Sequence, residues 1–167
     1  MSIRRKRIPK DAVPAKLLET YCADILAHPN MASEVRCIQH GSTSVLAHSA
    51  AVAATAIVVA RELQMPVDAK ALARAALLHD YFLYDWHVPD PSHRLHGFTH
   101  PYVAARNALR DYRASGHEQA IIRTHMFPFT PLPPTSREAW LVCLVDSALA
   151  AHETLNGLAN RLAKSRL

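Results

Sequence analysis

Apolar residues recur at intervals of three and four positions along most of this chain, which is the spacing of a buried helix face. No stretch alternates convincingly between apolar and polar residues, as a half-buried strand would. With only 4 glycines among 167 residues, long helices meet few interruptions. The pattern predicts a single all-α domain over residues 14–167 behind a short tail at residues 1–13. The predicted helices span residues 14–28, about 42–64, 68–80, 100–114, 117–126 and 136–155.

Short polar side chains mark where several of these helices begin. Ser42 or Thr43 is the predicted N-cap of the second helix, and Asp68 is that of the third. Thr99 is the predicted N-cap of the fourth helix, which would place Pro101 in its first turn, where proline is tolerated. These caps leave two long connectors, at residues 81–98 and 127–135. Long connectors without regular structure are typical of binding loops and lids, so a functional site is expected next to them.

The net charge of +5 comes from one end of the chain. The remaining 157 residues carry 14 basic and 14 acidic side chains, so the body is formally neutral. A basic body would indicate nucleic-acid binding, whereas a basic tail favours a solvated segment. Nucleic acid is therefore not the expected partner of the body, although an acidic partner for the tail stays open. The basic residues of the tail are Arg4, Arg5, Lys6, Arg7 and Lys10.

Cysteine use and hydropathy favour a cytoplasmic protein without a membrane partner. The 3 cysteines are scattered and form no CxxC pair, which is typical of a reducing compartment. No apolar segment of signal-peptide length follows the basic N-terminus. The most apolar window, Val45 to Ala60, contains His48 and is predicted to be too short and too polar to span a bilayer.

Each of five predicted helices directs ionisable residues towards the core. The chain contains 11 histidines, far more than its length usually carries, and several follow apolar residues by one helical turn. Taken singly, any of them is more often a core or capping residue than a ligand. Taken together, one group on each helix predicts a shared cation, because a buried carboxylate is costly unless it is paired or binds a metal. The residues are His48, His79, Asp80, His100, His125 and Asp146.

Imidazole nitrogen and carboxylate oxygen suit Fe, Mn, Zn, Co or Ni, so the donor set does not select one metal. Six donors exceed the four of a usual zinc site. Two divalent ions are therefore expected, with Asp80 bridging them.

The order of these residues resembles the HD-domain superfamily of metal-dependent phosphohydrolases. The motifs that carry the resemblance are His48 in VLAHSAAVA, His79-Asp80 in ALLHDYF and Asp146 in LVDSAL. The intervening histidines, in GFTHP and RTHMF, match the two-metal branch of that superfamily. The resemblance covers about residues 40–155 and implies an HD-domain bundle of about six helices around a metal site. Met126 follows His125 where some two-metal members have a second histidine, and no GYP signature of the cyclic-dinucleotide phosphodiesterases is present.

The resemblance implies cleavage of a phosphate ester, on a nucleotide or a small phosphorylated metabolite, by a metal-activated hydroxide. One ion is predicted to be held by His48, His79, Asp80 and Asp146, and the second by Asp80, His100 and His125. Catalytic roles are predicted for Asp80, for His87 or His96 as a leaving-group acid and for Asp85, which could instead orient a ligand histidine. Substrate binding is predicted for Arg94, His96 and Arg137, and an aromatic pocket for Tyr84, Trp86, Phe127 and Phe129.

Two other functions fit the same residues. HD-type di-iron oxygenases use a four-histidine, two-aspartate set in this order, and nothing in the residues separates them from hydrolases. A non-catalytic regulatory module that keeps its metals is the third candidate. The loop residues of the predicted pocket are equally compatible with surface or loop-structuring roles. The oligomeric state is not determined by the sequence.

Overall fold

The computed structural model describes residues 5–40 and 43–164, and most of this part of the chain is helical. It confirms the predicted all-α bundle. Seven α-helices are present in the described residues, one more than predicted, because the short helix α2 lies in a segment predicted as a loop. The helices are α1 (Pro14–Leu26), α2 (Met31–Glu34), α3 (Val45–Glu62), α4 (Ala69–Leu78), α5 (His96–Tyr112), α6 (Gly116–Thr124) and α7 (Arg137–Lys164). A single 3₁₀ turn spans Pro91–His93.

Two small antiparallel ladders accompany the helices. Strand β1 (Lys6–Arg7) pairs with β4 (Pro66–Val67), and β2 (Ile38–His40) pairs with β3 (Thr43–Ser44). Segments of two or three residues are too short to display alternation, which is why the sequence did not predict them.

The N-terminal segment is packed on the body from Arg5 onwards. Lys6 lies opposite Val67 in the β1–β4 ladder, Ile8 is 3% exposed, and Arg5 donates to the buried carboxylate of Glu138. The segment is therefore held against the body, because a single apolar residue inside the basic run, Ile8, supplies an anchor. The side chains of residues 5–7 remain exposed, as expected for a solvated tail, and only Ile8 departs from that expectation. Arg4 lies outside the described residues.

Helix α3 lies at the centre of the bundle, against α4, α7 and α1. Its apolar residues Val52 and Ile57 are buried, whereas Val59 is only partly buried. Contrary to the sequence expectation, its 18 residues have enough length and hydropathy to cross a membrane, with a mean hydropathy of 1.4. In the structure α3 packs between other helices. A helix that is covered on several sides needs apolar residues on all of them, so packing in the core accounts for its composition.

The caps agree with prediction at one helix and differ at two. Asp68 caps α4 by accepting from the Ala71 N–H, as predicted. Ser44, and neither Ser42 nor Thr43, caps α3 by accepting from the Ala47 N–H. Gly41 and Ser42 lie outside the described residues. Helix α5 begins at His96 instead of residue 100, so that Thr99 donates to the Leu95 carbonyl from within the first turn.

The early start of α5 places Pro101 inside the helix. Proline there removes one N–H from the helix ladder, and this cost is the signal that made residue 100 the predicted start. The difference matters for the site, because His96 and Gly97 become parts of a rigid helix next to the predicted ligands.

Candidate metal centre

Six buried side chains from five helices meet at one end of the bundle. Each of the predicted ligands is at most 7% exposed, and each is carried by the terminus or the inner face of a different element, except for the adjacent His79-Asp80 pair. They are His48 on α3, His79 and Asp80 at the end of α4, His100 on α5, His125 at the end of α6 and Asp146 on α7. The structure thus brings together every residue of the predicted set.

Asp146 lies between two of the histidines. Its Oδ1 atom is 2.9 Å from His48 Nε2 and 3.4 Å from His79 Nε2. One ligand atom from each of these three residues lies within 4.8 Å of the other two, which is close enough to surround a single ion.

Asp80 faces three of the four histidines, with its two oxygens on different sides. Oδ2 is 3.2 Å from His79 Nε2, while Oδ1 is 3.2 Å from His100 Nε2 and 3.6 Å from His125 Nε2. A second compact group of donors consists of His79, Asp80 and His125. His79 therefore lies in both groups, although the sequence assigned it to one ion. The two oxygens of Asp80 thus face different histidines.

Backbone carbonyls orient three of the imidazoles. The Nδ1 atoms of His79, His100 and His125 lie 2.8, 2.8 and 2.7 Å from the carbonyl oxygens of Ala76, His96 and Ile122. A carbonyl only accepts, so Nδ1 carries the proton and Nε2 of the neutral ring presents a lone pair to the centre. His79 and His125 follow the last turns of α4 and α6, whose terminal carbonyls lack helical donors. Histidine at a helix end therefore supplies both a cap and a ligand.

The donor set fits bound cations. Nε2 of His100 and Nε2 of His125 are only 3.0 Å apart, and when both rings are neutral, in the tautomers set by the carbonyls, these are two lone pairs facing each other. Nε2 of His79 and Oδ1 of Asp80 are also buried without a hydrogen bond among the described residues. Buried polar atoms normally have a partner, and a divalent cation satisfies all four atoms together.

The electrostatics of the cluster require positive charge between the carboxylates. Burial opposes the charged form of His79, yet Asp80 and Asp146 outweigh it and raise the His79 pKa well above its usual value. Burial, together with His79 and His100, lowers the pKa of His125 to about 4. Burial alone would raise the pKa of Asp80, but His79 and His100 lower it well below its usual range. Both carboxylates therefore stay ionised, and either a proton on His79 or a bound cation balances them.

Two residues contact the predicted ligands through hydrogen-bonding groups, and the sequence did not indicate either of them. Gln39 Nε2 donates to Asp80 Oδ2 at 2.5 Å, and Glu153 Oε2 lies 3.1 Å from His48 Nδ1. Because a carboxylate only accepts, the Gln39 amide must turn its NH₂ group to Asp80, which leaves its buried Oε1 without a donor among the described residues. No local pattern indicates either residue, since Gln39 is in a three-residue strand and Glu153 resembles any polar residue on a helix.

A cavity of about 890 Å³ opens next to the ligands. Three of the predicted loop residues line it, namely His87, Arg94 and His96. Two of the predicted aromatic residues, Trp86 and Phe129, line it as well. The two long connectors thus form walls of the cavity, as their position after His79-Asp80 and after His125 predicted.

The remaining candidates have other contacts. Asp85 accepts from the backbone N–H of His87 at 3.0 Å and lies 3.1 Å from its Nδ1, and so contacts a loop histidine, not a ligand histidine. Arg137 donates to the Pro66 carbonyl beside the β1–β4 ladder and is not among the cavity residues. The structure therefore does not bring Arg137 to the site, because α7 starts at the β1–β4 ladder and reaches the ligands only at Asp146.

The other two aromatic residues support the walls instead of forming them. The Tyr84 hydroxyl lies 2.9 Å from His96 Nδ1, and the Phe127 ring packs edge-on against Trp140. Both residues hold loop segments in place, which is the alternative role that aromatic loop residues commonly have.

Comparison with known proteins agrees with the residue pattern. The model of a protein family described as HD domain matches residues 45–151, which include all six predicted ligands and the whole of both connectors. No curated protein and no solved structure matches the chain.

Proposed function

Because the chain belongs to the HD-domain family, we propose that it is a metal-dependent phosphohydrolase that cleaves a phosphate ester. The observation that carries the proposal is the position of Asp80, with one oxygen towards His79 and the other towards His100 and His125. A carboxylate placed in this way holds two cations side by side, next to a cavity that accommodates a substrate.

We infer that two divalent ions bind here. Asp80 would hold both ions, and each ion would take its other donors from one half of the cluster. The halves are His48, His79 and Asp146 on one side, and His100 and His125 on the other. When bound, such ions polarise phosphoryl oxygens and acidify a water molecule, and Fe, Mn, Zn, Co and Ni all suit these donors.

The chain's own residues supply binding and proton transfer. Arg94 is positioned in the cavity wall to bind phosphoryl oxygens through its guanidinium group. Burial, and next the charge of His100, lowers the pKa of His96 to about 4, so His96 is neutral near pH 7 and is suited to hydrogen bonding but not to donating a proton as an acid. His87, about half exposed and held by Asp85, is the better leaving-group acid. In the proposed reaction the water oxygen bonds to phosphorus, the ester P–O bond breaks, and a proton passes to the departing alcohol.

The test is a phosphatase screen of the purified protein with Mn²⁺, Fe²⁺ or Co²⁺ added. We expect Asp80→Ala to lower kcat/KM by about 1,000-fold, since a metal centre contributes several kcal/mol to the transition state. Asp11→Ala is the matched control, because Asp11 is an exposed carboxylate remote in sequence from all six ligands. Equal activity of Asp80→Ala and the wild type would refute the proposed site.

The second candidate is a di-iron oxygenase, which the four-histidine, two-aspartate donor set favours equally. Metal analysis of protein purified without added metal, combined with a measurement of oxygen uptake, distinguishes the two. Two irons and substrate-dependent oxygen consumption, with no phosphatase activity, would replace the hydrolase by the oxygenase. A protein that binds metals and shows neither activity would instead be a regulatory module.

A further inference from the structure

The cavity beside the metal ligands contains more apolar surface than phosphate binding uses. Apart from ligands and polar residues, its wall includes Trp86, Val88, Pro89, Met126, Phe129 and Ala150. Apolar side chains around a few polar groups are the usual lining of a site for an organic molecule. The question is therefore which organic group this wall fits.

Phe129 offers a flat aromatic surface at the cavity. Its ring is 56% exposed and stacks on Phe98, with ring centres 4.6 Å apart and an angle of 20° between the planes. Gly97 permits this position, because a Cβ atom there would lie 3.0 Å from Phe129 Cε1. Because stacking on a second ring already restricts its motion, an exposed aromatic ring of this kind loses little conformational entropy when a ligand packs on it.

Trp86 forms a second aromatic wall that is tied to the metal centre. Its ring is nearly parallel to that of His96, at 4° and 5.2 Å, and His96 is in turn stacked on His100 at 19° and 4.6 Å. The indole is thus two ring layers away from a metal ligand. The His87 ring also contacts the indole, with centroids 3.9 Å apart. Trp86 lines the same cavity as His100 and His125, so a group bonded to a phosphate at the ligands lies in the cavity that this wall borders.

The charges of the cavity limit the substrate to one phosphoryl group. Arg94 is the one lysine or arginine among the residues that line the cavity in the described part of the chain. Asp90 lines it too, with its carboxylate 4.0 Å from His93 Nε2. Two cations and one arginine match a single phosphate, whereas a diphosphate or triphosphate would bring charges without partners.

Resting on the proposed hydrolase function, we propose that the substrate is a phosphate ester with one phosphoryl group and an uncharged organic part that presents a flat apolar face to Trp86 and Phe129. Sugar phosphates lack the apolar face, and nucleoside triphosphates carry charge that the cavity does not balance.

Binding of non-hydrolysable probes tests the proposal without relying on turnover. Phenylphosphonate, methylphosphonate and inorganic phosphate are titrated calorimetrically into the Mn²⁺-loaded protein. We expect phenylphosphonate to bind about 10-fold more tightly than methylphosphonate, and Phe129→Ala to remove most of this difference, since an aromatic contact contributes about that factor. The mutation should leave the affinity for inorganic phosphate unchanged. Tyr102→Ala is the matched control, an exposed aromatic residue on α5 that is not part of the cavity wall.

A substrate comparison completes the test. We expect kcat/KM for 1-naphthyl phosphate to exceed those for glucose 6-phosphate and ATP. Equal binding of the phenyl and methyl probes, or a preference for ATP or the sugar phosphate, would overturn the substrate class while leaving a phosphohydrolase in place. If the metal-loaded protein neither binds phosphate nor cleaves any of the esters, the proposed function itself fails and the substrate class with it.

Discussion

His100 Nε2 and His125 Nε2 lie 3.0 Å apart, and the Nδ1–H of each ring donates a hydrogen bond to a backbone carbonyl. Two lone pairs at that distance repel each other unless a cation lies between or beside them. We therefore expect divalent metal to stabilise the fold, by about 2.7 kcal/mol when the free ion is at 100 times its Kd. Thermal unfolding with Mn²⁺ and after chelation measures the effect. An identical Tm in a sample shown by elemental analysis to be metal-loaded would contradict it.

The two oxygens of Asp80 predict how metal stoichiometry responds to mutation. His48→Ala should weaken the binding of one ion, His100→Ala that of the other, and Asp80→Ala that of both, because Asp80 directs one oxygen to each half of the cluster. Elemental analysis after dialysis against a fixed metal concentration gives the stoichiometry, with Asp11→Ala as the control. If Asp80→Ala lost no more metal than either histidine variant, Asp80 would not be a bridge.

Gln39 is expected to position Asp80. Its amide donates to Asp80 Oδ2, so Gln39→Leu should lower metal affinity by about 10- to 100-fold, as removal of groups behind metal ligands commonly does. Gln39→Glu should be at least as harmful, because it sets a carboxylate against another one. Metal titration followed by calorimetry measures both variants. Gln119→Leu is the control for loss of an amide, because Gln119 lies on α6 and outside the cavity wall. If Gln39→Leu kept the wild-type metal affinity, the role of Gln39 would be purely structural.

The buried carboxyl group of Glu34 should make the free energy of unfolding of the metal-free protein depend on pH. Burial, with a smaller contribution from Asp80, raises the Glu34 pKa from 4.5 to about 8, although the Leu83 N–H opposes the shift. Between these pH values the folded state holds a proton that the unfolded state has released. The free energy of unfolding should therefore fall as pH rises through this window, by at most about 1.4 kcal/mol per pH unit from this group.

Glu34→Gln should remove this part of the slope, because a neutral amide does not titrate. Urea unfolding in chelator at several values between pH 5.5 and 8 measures it. Glu19→Gln changes an exposed carboxylate of the same type and should keep the wild-type slope. Parallel slopes for Glu34→Gln and the wild type would show that Glu34 is ionised in the fold.

The ligands could be predicted because each is specified locally. An imidazole such as His48 among apolar residues at helical spacing faces the core wherever the helix packs, and a histidine at a helix end such as His125 reaches its own last-turn carbonyl. Helix boundaries were less certain where two local rules conflict. Pro101 argued for a start at residue 100, but packing of the preceding turn placed the start at His96.

By itself the sequence determined the all-α class and the six donors, since periodicity and helix ends depend on neighbours within a few positions. The supporting residues were decided by tertiary structure alone: Gln39 meets Asp80 across 41 positions and Glu153 meets His48 across 105. Such contacts depend on how β2 and α7 pack. The local sequence around a single polar residue does not indicate which distant residue it will contact. The same holds for the cavity, where Phe129 and Trp86 come from two connectors whose paths are set by what they pack against.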